Sequence, residues 1–138
     1  MLTSVLVCAK LHAADALPAG HESPGQLATE FRGRLLPDPK KPDGMQFRSE
    51  AGTVYPLVSN RMSSALFLDT NLLSRTLLIK GTLEPRGTNL TVTGNLHSIH
   101  DGKIYELFCY CDVCTIQGID PGPCMCCREP VHLVEEQR

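Results

Sequence analysis

Six cysteines fall between positions 109 and 127, and four of them, Cys111, Cys114, Cys124 and Cys127, make the frame C-x2-C-x9-C-x2-C. Cysteines three apart can turn both thiolates toward one ion, and two such turns complete a tetrahedron around zinc. The frame therefore predicts a metal site with Zn2+ as its ion. With four protein ligands the site is closed, leaving no position for a catalytic water, so it would fold its segment and not hydrolyse anything. Disulfides or an iron centre are the other chemistries open to these thiols. Cys109 and Cys126 lie outside the frame, as bystanders, as a disulfide pair or as alternate ligands. Thiol redox catalysis would need one of them exposed and with a depressed pKa.

The remaining chemistry-bearing residues point away from catalysis. His97 and His100 are spaced like half of a zinc finger, but residues three apart on a strand face opposite sides. A two-residue turn at Asp101-Gly102 would place His97 opposite Glu106, a solvated polar contact on one face of a hairpin. His132 follows the last cysteine and reads as a surface residue. Nucleophile elbows, phosphate loops and Rossmann glycines are absent from the chain, and the expectation is a non-enzymatic protein.

Charge and composition constrain the partners. A formal net charge of -2 offers no general attraction to phosphate backbones. Residues 28–90 carry a mild excess of Arg and Lys, but only Phe31, Phe47, Tyr55 and Phe67 could stack on bases, and the first three fit a core. Nucleic acid is thus a disfavoured partner, and a single-stranded nucleic-acid-binding module is the alternative function. A metal ion and a protein partner at the cysteine segment fit better. No apolar run approaches the roughly 18 residues that would span a bilayer.

The elements that must position the cysteines are β-strands. Alternation predicts strands over 31–36, 45–49, 53–58, 76–83 and 89–99, and a partner strand over 103–108 that runs straight into the first cysteine pair. Pro56 marks the third strand as an edge. A short helix over 61–68, capped by Ser59 or Asn60, separates the third and fourth strands, and 69–74 is irregular. Residues 1–16 have an apolar start and the small-residue ending Ala14-Asp15-Ala16, which fits a cleavage site, so the chain is expected to be exported, periplasmic or extracellular. If that segment is not a signal peptide, the location is cytoplasmic. The organisation expected is a signal peptide and linker over 1–28, a β domain over 29–108 and a cysteine-rich knuckle over 109–138.

Two resemblances follow from these residues. The order of strands and helix over 29–100, with glycines at 33, 81 and 94, resembles the OB-fold. It implies a mainly β fold, a small OB-like β-barrel with one short helix, followed by a zinc-ribbon-like knuckle. Cys111, Pro121-Gly122, Cys124, Cys127 and the pair Leu133-Val134 resemble the bacterial heavy-metal-binding domain, and the cysteine turns are similar to zinc-ribbon and rubredoxin-type knuckles. Cys114 stands where the heavy-metal-binding family has His. Its two methionines are missing, and Arg128-Glu129-Pro130 replaces its Gly-Met. Four thiolates without those methionines favour zinc over copper.

Overall fold

The computed structural model describes residues 28–138, and the expectations for residues 1–27, the export segment and most of the linker, lie outside the described residues. Strands β1 (Thr29–Pro37), β2 (Met45–Ser49) and β3 (Val54–Pro56) form a meander, followed by helix α1 (Ser64–Leu68) and a 3₁₀ turn (Thr70–Ser74). Then come β4 (Thr76–Leu83), β5 (Leu90–Val92), β6 (Leu96–His100), β7 (Lys103–Cys111), β8 (Ile116–Gly118) and β9 (His132–Gln137). All nine strands belong to one antiparallel sheet of order β3-β2-β1-β4-β6-β7-β8, with β5 paired to β4 and β9 to β7. The mainly β expectation with one short helix is met.

Register explains the core. Cross-strand partners share a face of the sheet, and the pairs Leu35–Phe47, Phe31–Ile79, Leu77–Ser98 and Leu96–Leu107 lie on the same one. Onto it also fall Val92 opposite Gly81 and Leu90 opposite Leu83. Ala65 and Leu66 of α1 and Leu72 of the 3₁₀ turn join these residues in a single buried cluster. Gly33 sits where β1 changes partners from β4 to β2. A Cβ there would come within 1.9 Å of the Arg48 carbonyl oxygen, so only glycine permits the approach of β2.

The sheet is not closed by a ladder. An OB-like barrel needs β3 to meet β5, and the contact between them is one parallel bridge, Leu57 to Leu90, with Val58 N–H donating to Leu90 O at 3.0 Å. Pro56 offers no N–H and β5 has only three residues, which leaves no room for more pairing. The OB-like order of elements is present, and barrel character goes no further than that bridge among the described residues.

Other departures have local causes. The strand expected over 89–99 is broken at Thr93-Gly94-Asn95. β4 pairs Gly81 with Val92 but Leu78 with His97, so two extra residues bulge out between β5 and β6. An even insertion keeps Leu90, Val92, Leu96 and Ser98 on one face, which is why the alternation runs through the break unperturbed. The helix begins three residues later than expected. Asn60 Oδ1 accepts from Ser63 N–H and Ser63 Oγ accepts from Asn60 N–H, both at 2.9 Å, closing a turn ahead of α1. Asn60 Nδ2 also donates to Val92 O at 3.0 Å and so ties that turn to β5.

Candidate metal centre

β7 delivers the first cysteines. Leu107, Cys109 and Cys111 alternate onto the core face of one strand and are all buried, at 4%, 4% and 1% exposure. β6 pairs with residues 103–107 of β7 and β8 with 109–111, while β9 spans 105–110, so β6 and β8 lie end to end on one edge and β9 on the other. The hairpin entering β7 turns at Asp101 and Gly102, whose φ values of 53° and 71° are those of a type I′ turn, the conformation Asp-Gly favours.

Each cysteine pair then sits in the same kind of turn. Thr115 N–H donates to Cys111 O at 2.8 Å, and Arg128 N–H donates to Cys124 O at 2.9 Å. In both, the residue after the second cysteine takes a left-handed φ, 55° at Thr115 and 67° at Arg128. The second turn is pinned at its base by the Pro123–Pro130 bridge and by Cys124 N–H donating to Glu129 O at 2.7 Å. The result is that the Sγ atoms of Cys111, Cys114, Cys124 and Cys127 all lie within 4.8 Å of one another. The Cys111 and Cys127 sulfurs are 3.5 Å apart, the separation of unlinked thiols. Zn–S bonds of about 2.3 Å in a tetrahedron put sulfurs roughly 3.8 Å apart, so the group has the dimensions of a cage for one ion.

Backbone N–H groups prepare the sulfurs for charge. Cys114 N–H points at Cys111 Sγ at 3.5 Å. The Cys124 thiol is lowered to about 7, chiefly by the backbone N–H of Cys127 and then by that of Cys126. Cys114 is pushed up, first by its side-chain hydrogen bond with Cys127 and next by that with Cys126, which hold its proton. A cation bound among the sulfurs would have to displace that proton.

Thr115 is β-branched, and a left-handed φ costs such a residue about 1–2 kcal/mol. Thr115→Gly is expected to stabilise the chain by about 1 kcal/mol, after the entropy cost of glycine, as measured by chemical denaturation with metal content unchanged.

The residues outside the frame separate clearly. Cys109 is buried between Leu133 of β9 and Gly118 of β8, and burial pushes its thiol up, with Asp120 and Asp69 adding to the effect. That is opposite to what a redox nucleophile needs. Cys126 is exposed on the second turn. His97 does face Glu106, but Glu106 accepts from Asn95 at 2.6 Å and Arg138 at 3.4 Å, and His97 Nε2 is buried without a partner. His132 lies 3.3 Å from Asp112 on the surface and is not part of the sulfur group.

Sequence reasoning did not foresee the polar anchor beneath the knuckle. Ser98, fully buried, donates to Glu135 Oε1 at 2.9 Å, and the same carboxylate pairs with Arg75 and contacts His100 Nε2 at 3.3 Å. His100 stacks on Tyr105 with ring centres 3.8 Å apart. These contacts dock β9, the strand leaving the knuckle, onto β6 and the 3₁₀ turn. On the other side Arg61 grips Asp120 through Nε and a terminal nitrogen at 2.9–3.2 Å, an exposed pair. Such a pair contributes at most about 1 kcal/mol but fixes where the loop lies.

No protein-family model, curated protein or solved structure matches the chain. The likeness to a zinc-ribbon-like knuckle therefore rests on four neighbouring cysteines and the paired turns that bring them together.

Proposed function

We propose that this chain is a small non-enzymatic zinc-binding protein in which Cys111, Cys114, Cys124 and Cys127 hold one Zn2+ and the knuckle serves as a structural, metal-holding or interaction module. The observation that carries the reading is the convergence of four thiols, within 4.8 Å, from two turns of the same build. Four thiolates fill a tetrahedral ion, which supports a structural and non-catalytic site. Metal content of the purified chain tests it. One zinc per chain is expected, and iron at that stoichiometry, or no metal after gentle purification, would reject it. Export is the reading of residues 1–16, and the first residue of the mature chain tests it.

Zinc displaces thiol protons, so affinity must fall as pH falls. Above pH about 7 the Cys124 sulfur is already ionised and loses no proton on binding. Below that it too must be deprotonated. The apparent zinc affinity is therefore expected to weaken as pH drops, by a further factor of about ten per pH unit once below 7, in a chelator competition titration.

A further inference from the structure

The face of the sheet turned away from the apolar cluster carries its charges in register. Most of them are matched: Glu30 lies opposite Lys80, Arg32 pairs with Glu50 at 3.2 Å, and Arg138 pairs with Glu106 at 3.4 Å. One cross-strand pair of cations is left over. Arg34 of β1 stands directly opposite Arg48 of β2, both are exposed, and neither side chain has a hydrogen-bond or ion-pair partner among the described residues. This register puts their Cβ atoms about 5 Å apart, and like charges placed directly opposite destabilise a sheet. The acid left unpaired on that face, Glu136, stands beyond β4, β6 and β7, on β9. The neighbours of the two arginines are hydrogen-bond donors. Thr76 of β4 lies opposite Arg34 on its other side, and Gln46 lies two residues before Arg48 on the same face of β2.

We infer that the row Arg48, Arg34 and Thr76, on three adjacent strands, is a binding site for the dianion of a phosphate monoester. Each guanidinium presents a planar fork that meets phosphate oxygens two at a time, and two such cations balance a group of about −1.5 to −2 charge at neutral pH. The Thr76 hydroxyl adds a donor beside them. A bound dianion replaces the repulsion between the arginines with two charge-assisted contacts, so the arrangement that costs stability in the free chain becomes favourable in the complex. The site belongs to the meander and β4, and it does not depend on what the cysteines hold. A single-stranded nucleic acid, the other source of phosphate, needs aromatic side chains on which its bases stack beside the basic residues. Phe31, Phe47 and Tyr55 of the same three strands are turned to the opposite face, packed in or against the core.

The experiment follows the arginine Nε–H resonances of the 15N-labelled full chain while O-phosphoserine is added at constant ionic strength, with serine as the blank. The Arg34 and Arg48 signals should move together and saturate. Arg34→Gln and Arg48→Gln should each weaken binding by about tenfold, the loss of one charged hydrogen-bond partner. Arg34→Lys should weaken it as well, because an ammonium keeps the charge and loses the fork. In phosphate-free buffer Arg34→Gln should raise the thermal midpoint, which also shows that the variant folds. A phosphoserine pentapeptide that binds more tightly than phosphoserine would mark a phosphorylated protein as the source of the group, and equal affinities a small ester. Shifts that never saturate, or that Arg32 and Arg86 share equally, would reduce the row to general charge screening and overturn the site. So would unchanged affinity in Arg34→Lys, or a thymidine oligonucleotide that binds more tightly than phosphoserine at equal phosphate concentration.

Discussion

Cys124→Ser is expected to abolish metal binding and open residues 112–131, while β1–β6 keep their protection against hydrogen exchange. The cysteine is 7% exposed and its N–H and carbonyl both close the second turn, so a change there tests the sulfur within a turn whose backbone bonds remain. Residues 112–131 contribute nothing to the apolar cluster of the body. Without metal the segment has short turns, the exposed β8, the Pro123–Pro130 bridge and the exposed Arg61–Asp120 pair to order it, against an entropy cost of about 1–2 kcal/mol per residue. Structural zinc supplies on the order of 10 kcal/mol in isolated finger peptides near neutral pH, and most of that should be lost here. The check is zinc content together with exchange rates mapped along the chain. Fast exchange spreading through β4 and β6 would show that the centre supports the whole sheet and not its own segment alone.

Phe47→Ala is the complementary change. Phe47 is fully buried, opposite Leu35 and Tyr55 at the middle of the meander, and truncation leaves a cavity bounded by a sheet that cannot collapse around it. The expected loss is about 3–5 kcal/mol, a large part of the 5–15 kcal/mol typical of a domain, lowering the thermal midpoint by roughly 10–25 °C. At temperatures where the fold persists, one zinc per chain should remain. Metal loss in step with the first loss of β-sheet signal would mean that the sheet and the knuckle melt as one unit.

Much of this was legible from residue types. The frame of Cys111, Cys114, Cys124 and Cys127 was visible as spacing alone, because a turn between cysteines three apart has few ways to fold. Strand β2 and the Asp101-Gly102 hairpin were visible because one shows strict alternation and the other a turn that few residue pairs can make. The break between β5 and β6 was hidden by parity, since a two-residue bulge leaves the pattern intact. β8 left no signal, being three exposed residues with no apolar face. The role of Glu135 was out of reach for another reason. Its partner Ser98 is 37 positions away, and a carboxylate in an otherwise polar tail looks like any surface acid until β9 is seen in register with β7.

The placement of Cys111 on the same strand face as Leu107 makes the metal site and the hydrophobic core share one phase. Cys109 and Cys111 follow Leu107 at intervals of two, so the core passes from hydrocarbon to sulfur along β7 without a seam. A one-residue insertion anywhere between Leu107 and Cys111 would rotate the first ligand to the solvent side while leaving the cysteine spacing itself untouched. In a lineage carrying this fold, changes of length in that strand would have to come in even numbers. An ion held by these cysteines would thereby act as a reading frame for the sheet.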